Sequence, residues 1–313
     1  MIENLILLVL GFFLLVKGAD FLVEGASSIA KKFKIPSLII GLTIVAIGTS
    51  MPELVVSTFS AIEGHSDIAM GNVVGSNLSN LLLILGLCAV IKPLEFKKQT
   101  KYIDNFIAIF ATILLFAFSL NNNISRIEGI ILLICCLAFI GYNIFMALKY
   151  REENNSNEDD IKTIPIWKSI IFIIGGIVAL KFGGDFVVRS ASAIATLMGI
   201  SERIISLTIV AFSTSLPELI TSLTATRRGE VDLGIGNIIG SQLFNIFLII
   251  GTSSVIMPIS YLVSYNFEMM ILLVTSILFA IFPFVKPKDK MSRSEGILFL
   301  GVYIYYLLHL ILA

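Results

Sequence analysis

The segment Thr43-Ile-Val-Ala-Ile-Gly-Thr-Ser-Met-Pro-Glu53 returns later in the chain as Thr208-Ile-Val-Ala-Phe-Ser-Thr-Ser-Leu-Pro-Glu218. Gly71-Asn-Val-Val-Gly-Ser-Asn-Leu-Ser-Asn80 returns as Gly236-Asn-Ile-Ile-Gly-Ser-Gln-Leu-Phe-Asn245. Every aligned pair lies 165 residues apart. The duplication reaches further: Gly18-Ala-Asp20-Phe21 matches Gly183-Gly-Asp185-Phe186 at the same interval, and Arg126-Ile-Glu128-Gly129 matches Arg293-Ser-Glu295-Gly296 at 167. The fold must therefore accommodate two copies of one unit.

What that unit is follows from hydropathy. A mean hydropathy of +0.96 with 57% hydrophobic residues excludes an ordinary soluble domain. Several apolar runs reach the ~20 residues that cross a bilayer. Ten spans are expected, at about 4–29, 37–61, 67–91, 103–120, 126–149, 166–192, 203–226, 232–257, 265–285 and 295–312. The hydrophilic stretch from Tyr150 to Pro165 separates residues 1–149 from 166–313, five spans on each side. Five is odd, so a second copy enters from the opposite face, and the two repeats are inverted about an axis in the membrane plane. Loop charge agrees: Lys and Arg crowd the loops on one side (Lys31, Lys32, Lys34; Lys92, Lys97, Lys98, Lys101; Arg227, Arg228), which puts both termini outside a plasma (inner) membrane. The first span, some 25 residues with Asp20 inside it, reads as a retained helix and not a cleaved signal. Zero net charge and no basic tail argue against nucleic acid as a partner; the bilayer is the one partner implied. Cys88, Cys135 and Cys136 lack metal-ligand spacing and read as core or lipid-facing residues.

Buried carboxylates in lipid are expensive, so Glu53 and Glu218 mark a functional site. Pro52 and Pro217 each remove a helical hydrogen bond and crowd the carbonyl four residues back, at Gly48 and Ser213, so spans two and seven are expected to be broken at mid-membrane. Freed carbonyls at that depth survive only in protein or beside a wet cavity. With Thr and Ser hydroxyls and a carboxylate they make an all-oxygen set suited to Na⁺ or Ca²⁺. One copy alone could be a Pro kink with a satisfied Glu; two copies at one spacing favour ligation. Asn72, Ser76 and Asn80 share one helical face, as do Asn237, Ser241 and Asn245. Polar packing between helices is the competing reading. Ser76, Ser241, Asn80 and Asn245 are taken as site-facing, Asn72 and Asn237 as supporting groups. Asp20 and Asp185, with Lys17 and Lys181 within a turn, read as ion pairs that orient the long outer helices or as snorkelling groups near a wet crevice, with participation in gating the alternative. His65 reads as a solvated loop residue.

At these residues the chain resembles the sodium/calcium exchangers of the calcium:cation antiporter superfamily. Their paired repeats carry G-[TS]-S-x-P-E followed by G-N-x-x-G-S-x-x-x-N/D; here these read Gly48 to Glu53 with Gly71 to Asn80, and Ser213 to Glu218 with Gly236 to Asn245. The resemblance implies a ten-helix inverted-repeat antiporter in which helices two, three, seven and eight form the ion core and the long first and sixth slide across it. It implies a central ion held by Glu53 and Glu218 with Thr49 and Thr214, completed by Asn80 and Asn245. Flanking sodium sites would use Ser50, Ser215, Ser76, Ser241 and the carbonyls of Ala46 and Ala211. Two departures stand out: Ser213 replaces the glycine of the first copy, and both Asn80 and Asn245 are amides where some relatives have an aspartate.

The core thus offers two certain carboxylates, which balance one Ca²⁺ or two Na⁺. The expected function is Na⁺/Ca²⁺ antiport by alternating access, with no cofactor and no obligate protein partner. Ca²⁺/H⁺ exchange is the runner-up, because protons can also neutralise close carboxylates; the hydroxyl-rich flanks tilt toward sodium. A passive channel is weighed below these. An enzyme is disfavoured, since paired acids in symmetric copies lack the asymmetry acid–base chemistry needs. The linker at 150–165 is too short to hold a calcium-sensor domain.

Overall fold

The computed structural model describes residues 2–65, 67–153, 163–199, 213–285 and 288–312. These residues form eleven helical elements: α1 (Ile2–Lys32), α2 (Ser37–Thr49), α3 (Met51–Ile62), α4 (Ile68–Ile91), α5 (Thr100–Ser119), α6 (Arg126–Glu153), α7 (Ile166–Leu197), α8 (Leu216–Arg227), α9 (Val231–Ile256), α10 (Val263–Phe284) and α11 (Arg293–Leu312). Seven of them are long and apolar enough to cross a membrane, and eight spans result if the bent pair α2–α3 counts as one. The chain is an all-helical membrane protein. The first half of the expected seventh span, with Ala211, lies outside the described residues.

Burial separates centre from rim. The apolar stretch of α9 is 94% buried and that of α4 72%, whereas α6 is only 22% buried and presents its side chains to lipid. The main core runs along α4 and α9, through Leu78, Leu81, Leu82, Leu243, Phe244 and Phe247. Cys88 and Cys136 are buried in this core as free thiols and Cys135 is half-buried at its edge, as small apolar residues would be.

The long helices α1 and α7 pack against each other in antiparallel fashion along a seam of glycines. A Cβ at Gly18 would lie 2.9 Å from the Gly176 carbonyl oxygen, and one at Gly183 would lie 2.8 Å from that of Gly11. Only residues without a side chain let the backbones approach so closely. Gly11 and Gly18 correspond to Gly176 and Gly183 at the 165-residue interval, so each contact is the counterpart of the other.

Two short ribbons repeat the pattern. β1 (Leu94–Glu95) pairs antiparallel with β4 (Lys290–Met291), and β2 (Asn123–Ile124) with β3 (Ile259–Ser260). Leu94 faces Met291 and Ile124 faces Ile259, again equivalent pairs at intervals of 165 and 167. Lys290 Nζ reaches Glu95 Oε1 across the first ribbon at 2.8 Å.

At one end α1 is clasped to α8 and the loop after it. Arg228 lies 2.7 Å from Asp20 and 3.6 Å from Glu24, while Lys31 lies 2.9 Å from Glu230, which also accepts the Ser27 hydroxyl at 2.6 Å. The expectation that Asp20 belongs to an ion pair holds, but its partner is Arg228, not Lys17 one turn away. Asp185 has no partner among the described residues at ion-pair distance. His65 is exposed in its loop, as expected.

Candidate ion-binding site

The site starts from a backbone break at Ser50 and an equivalent non-helical residue, Ser215. α2 ends at Thr49, Ser50 adopts φ −83°, ψ 5°, and α3 departs at 47° to α2. Ser215 adopts φ −84°, ψ 2° immediately before α8. This sparsely populated conformation recurs at the two equivalent serines. Each is followed by Pro52 or Pro217 in the first turn, where a missing N–H costs nothing. Glu53 and Glu218 therefore sit in the first turn of α3 and α8, where the helix dipole favours a negative charge. Both are 1% exposed.

The amide motifs tie the breaks together across the halves. Asn237 Nδ2 donates to Ser222 Oγ (2.9 Å) and the Glu218 carbonyl (3.5 Å), while its Oδ1 accepts the Thr49 hydroxyl (3.0 Å). Asn72 Nδ2 donates to Ser57 Oγ (2.9 Å) and the Glu53 carbonyl (3.3 Å), while its Oδ1 accepts the Thr214 hydroxyl (3.3 Å). Each asparagine thus fixes the acid-bearing turn of its own half and the threonine of the other. This is the supporting role expected of Asn72 and Asn237. Ser57 and Ser222 were missed because they lie beyond both motifs, although they too are 165 residues apart.

The remaining side chains converge on the same breaks. Thr49 Oγ1 lies 3.5 Å from Ser241 Oγ, and Thr214 Oγ1 lies 3.4 Å from Ser76 Oγ. Ser50 Oγ donates to Glu218 Oε1 at 3.1 Å. Ser215 is fully buried and its hydroxyl has no partner among the described residues. The Ala46 carbonyl already accepts the Ser50 N–H (3.0 Å) and lies 3.3 Å from Thr49 Oγ1, whose one proton goes to the nearer Asn237 Oδ1. Asn80 and Asn245 open wide π-helical turns, Ser79–Ile84 and Asn245–Ile250. Such turns recur at functional sites and were not legible in the sequence. The first packs against α8 and the second against α3, so each turn lies against the acid-bearing helix of the other half.

Besides the Ser215 hydroxyl, four buried carboxylate and amide oxygens are left over here. Glu53 Oε2, Glu218 Oε2, Asn80 Oδ1 and Asn245 Oδ1 have no hydrogen-bond partner among the described residues. They form two symmetry-equivalent pairs, and each is an acceptor. Unsatisfied buried acceptors are costly and call for a donor or a cation. A cavity of about 210 Å³ reaches the first break from the side of α7, lined by Gly48, Thr49, Pro52, Val55, Ile177 and Lys181 among others.

Comparison with known proteins accords with this geometry. The sodium/calcium exchanger protein family matches residues 3–145 and 168–312. The putative antiporter CaxA of Alkalimonas amylolytica is 37% identical over 268 residues, covering 82% of each chain. The sodium/calcium exchanger MaX1 of Methanosarcina acetivorans is 31% identical, covering 97% of each. The structure of the sodium-calcium exchanger NCX_Mj soaked with Na⁺ and Ca²⁺ superposes with a TM-score of 0.84 at 31% identity over 97% of each chain. The chain belongs to the sodium/calcium exchanger family.

Proposed function

We propose that this chain is a secondary active antiporter that exchanges Na⁺ for Ca²⁺ across a plasma membrane, at a site built from Glu53 and Glu218. The observation that carries this is the set of four buried acceptors from the two halves with no donor among the described residues, two of them carboxylate oxygens. Ca²⁺ takes six to eight oxygens, and the surrounding hydroxyls of Thr49 and Thr214 supply further ones. Ser50, Ser215, Ser76 and Ser241, with the carbonyls of Ala46 and Ala211, would complete flanking sodium sites. Two carboxylates balance one Ca²⁺ or two Na⁺, so the ions occupy the pair alternately. With neither bound, two desolvated charges remain uncompensated, which disfavours closure of an empty site and links the two fluxes.

The reading includes ten spans in two inverted repeats, residues 1–149 and 166–313, with both termini outside. The reciprocal ribbons and glycine contacts support it. In that topology the Arg228 clasp closes the cytoplasmic end, while α3 is exposed along Met51, Val55 and Phe59 on the outer side. The counterparts of Glu24 and Arg228 are Arg189 and Glu63, the same pair with its signs exchanged. Closing the outer side would bring these two together as the inner side opens.

The test is Ca²⁺ uptake into proteoliposomes loaded with Na⁺, against choline-loaded vesicles at equal pH. Uptake that requires the outward Na⁺ gradient supports the proposal. Uptake indifferent to Na⁺ but driven by an imposed pH gradient would replace it with Ca²⁺/H⁺ exchange, and uptake needing neither gradient would indicate a channel. In the same assay, Arg228→Glu should slow exchange by about two- to fivefold, the worth of one partly exposed ion pair of ~0.4–1 kcal/mol. Adding Glu24→Arg should restore part of the rate; an unchanged rate in Arg228→Glu would remove the clasp from the mechanism.

A further inference from the structure

An amide ligand differs from a carboxylate in one respect: only one of its two ends can face a cation. Asn245 must present Oδ1 and turn Nδ2 away, and something must hold it so. The group that does this is Asn77, a fully buried residue. Its Nδ2 faces the backbone carbonyl of Gln242 at 3.5 Å. A carbonyl oxygen only accepts, so it selects the rotamer of Asn77 that points Nδ2 toward it. Asn77 Oδ1 then faces Asn245 and accepts from Asn245 Nδ2 at 3.0 Å. That leaves Asn245 Oδ1 on the opposite edge, where no donor among the described residues meets it. Orientation thus passes from a fixed backbone carbonyl through Asn77 to the ligand oxygen.

The other half does not repeat the relay. The counterpart of Asn77 is Gln242, one methylene longer. Its Nε2 reaches away from the site, to Thr112 Oγ1 at 3.4 Å on α5 and Ser276 Oγ at 3.3 Å on α10. No side chain among the described residues is hydrogen-bonded to Asn80.

We propose that Asn77 is a positioning residue that fixes the Asn245 amide as an oxygen ligand, so that the two asparagines of the ion site are unequal: Asn245 is held, and Asn80 is free to turn. The inference rests on the ion-site reading above. It also explains how a site with amides at both positions can still present a defined oxygen to a divalent ion, since one of the two is pre-oriented by a neighbour that is itself locked.

The experiment is a double-mutant cycle in reconstituted vesicles, measuring KM and kcat for Ca²⁺ uptake in wild type, Asn77→Leu, Asn245→Asp and the double variant. Asn77→Leu should raise the KM for Ca²⁺ about three- to tenfold, the worth of one net hydrogen bond, with a smaller change in kcat. In the Asn245→Asp background the same substitution should have no effect on KM, because a carboxylate presents oxygen at either end and needs no orienting. Equal effects in both backgrounds would overturn the proposal, since a purely structural role for Asn77 would add. So would an unchanged KM in Asn77→Leu. If Asn77→Leu does not purify as a monodisperse protein, Asn77→Ser, which is smaller and cannot span both partners, takes its place with the same expected pattern. Glu53→Gln is run alongside: if it transports like wild type, the ion-site reading fails, whereas a dead Glu53→Gln with an unaltered Asn77→Leu removes only the role of Asn77.

Discussion

Glu53→Gln and Glu218→Gln should each lower sodium-driven Ca²⁺ uptake by roughly three orders of magnitude. At the proposed site, each substitution would remove one unit of negative charge within contact distance of a divalent ion while leaving the side chain's size almost unchanged. At an effective dielectric constant of about 20, a unit charge ~4 Å from another is worth about 4 kcal/mol, and a divalent partner does not reduce it. The amide also brings an N–H₂ group where only acceptors now stand. The two substitutions should act about equally, because the carboxyls occupy equivalent turns of α3 and α8 and are equally buried. A binding measurement separates lost affinity from lost motion: Ca²⁺ should raise the melting temperature of the wild type in detergent and leave both variants unmoved. Retention of half the wild-type uptake rate by either variant would sink the paired-carboxylate site.

Gly236→Val should have the largest effect on the fold. A Cβ there would lie 2.5 Å from the Leu38 carbonyl oxygen, 2.9 Å from the Leu42 nitrogen and 3.0 Å from Gly41 Cα. All three are backbone atoms of α2, and no rotamer change relieves the overlap. Gly41 makes the reciprocal approach, with a Cβ 2.5 Å from the Leu233 carbonyl oxygen. Overpacking of side chains typically costs ~1–3 kcal/mol, and a backbone contact belongs at or above the top of that range. Separating α2 from α9 would also pull Thr49 away from Asn237, one residue beyond Gly236. The variant should therefore elute as aggregate or melt several degrees lower, with exchange lost in whatever folds. Gly141→Val on lipid-facing α6, where a Cβ meets nothing within 4 Å, is the control and should behave as wild type. Equal stability of the two variants would contradict the close α2–α9 contact.

Much of this was legible in the sequence because duplication and proline are strong signals. The constant interval located the break at Ser50 and the equivalent non-helical Ser215, and Pro-Glu at the start of a helix placed two carboxylates in its first turn. The wide π-turns at Asn80 and Asn245 were not legible, since they arise from packing and not from any residue at the turn. Nor was the partner of Asp20, because Arg228 approaches it from a helix more than two hundred residues away, while Lys17 is close only along the chain. Asn77 was hidden for a related reason. Within its motif it looks like one more amide, and its role exists only because Asn245 and the Gln242 carbonyl face it from the other half. Ala211 lies outside the described residues, so its carbonyl stands as expected from the motif alone.

The two ribbons carry a consequence about assembly. β4 is the later copy of β2, and β3 the later copy of β1, so each ribbon joins a strand of one type to a strand of the other. A solitary half would own both strand types and could pair neither internally, and its Thr49, Asn72 and glycine contacts would likewise lack their complements. Two identical halves, one inserted upside down relative to the other, would satisfy every one of these contacts twice through a single self-complementary interface. On the proposed inverted-repeat reading, a chain of half this length would satisfy these contacts as an antiparallel homodimer. Within one chain the two halves are free to differ, and they do: Asn77 stands against Gln242, and Glu24 with Arg228 against Arg189 with Glu63.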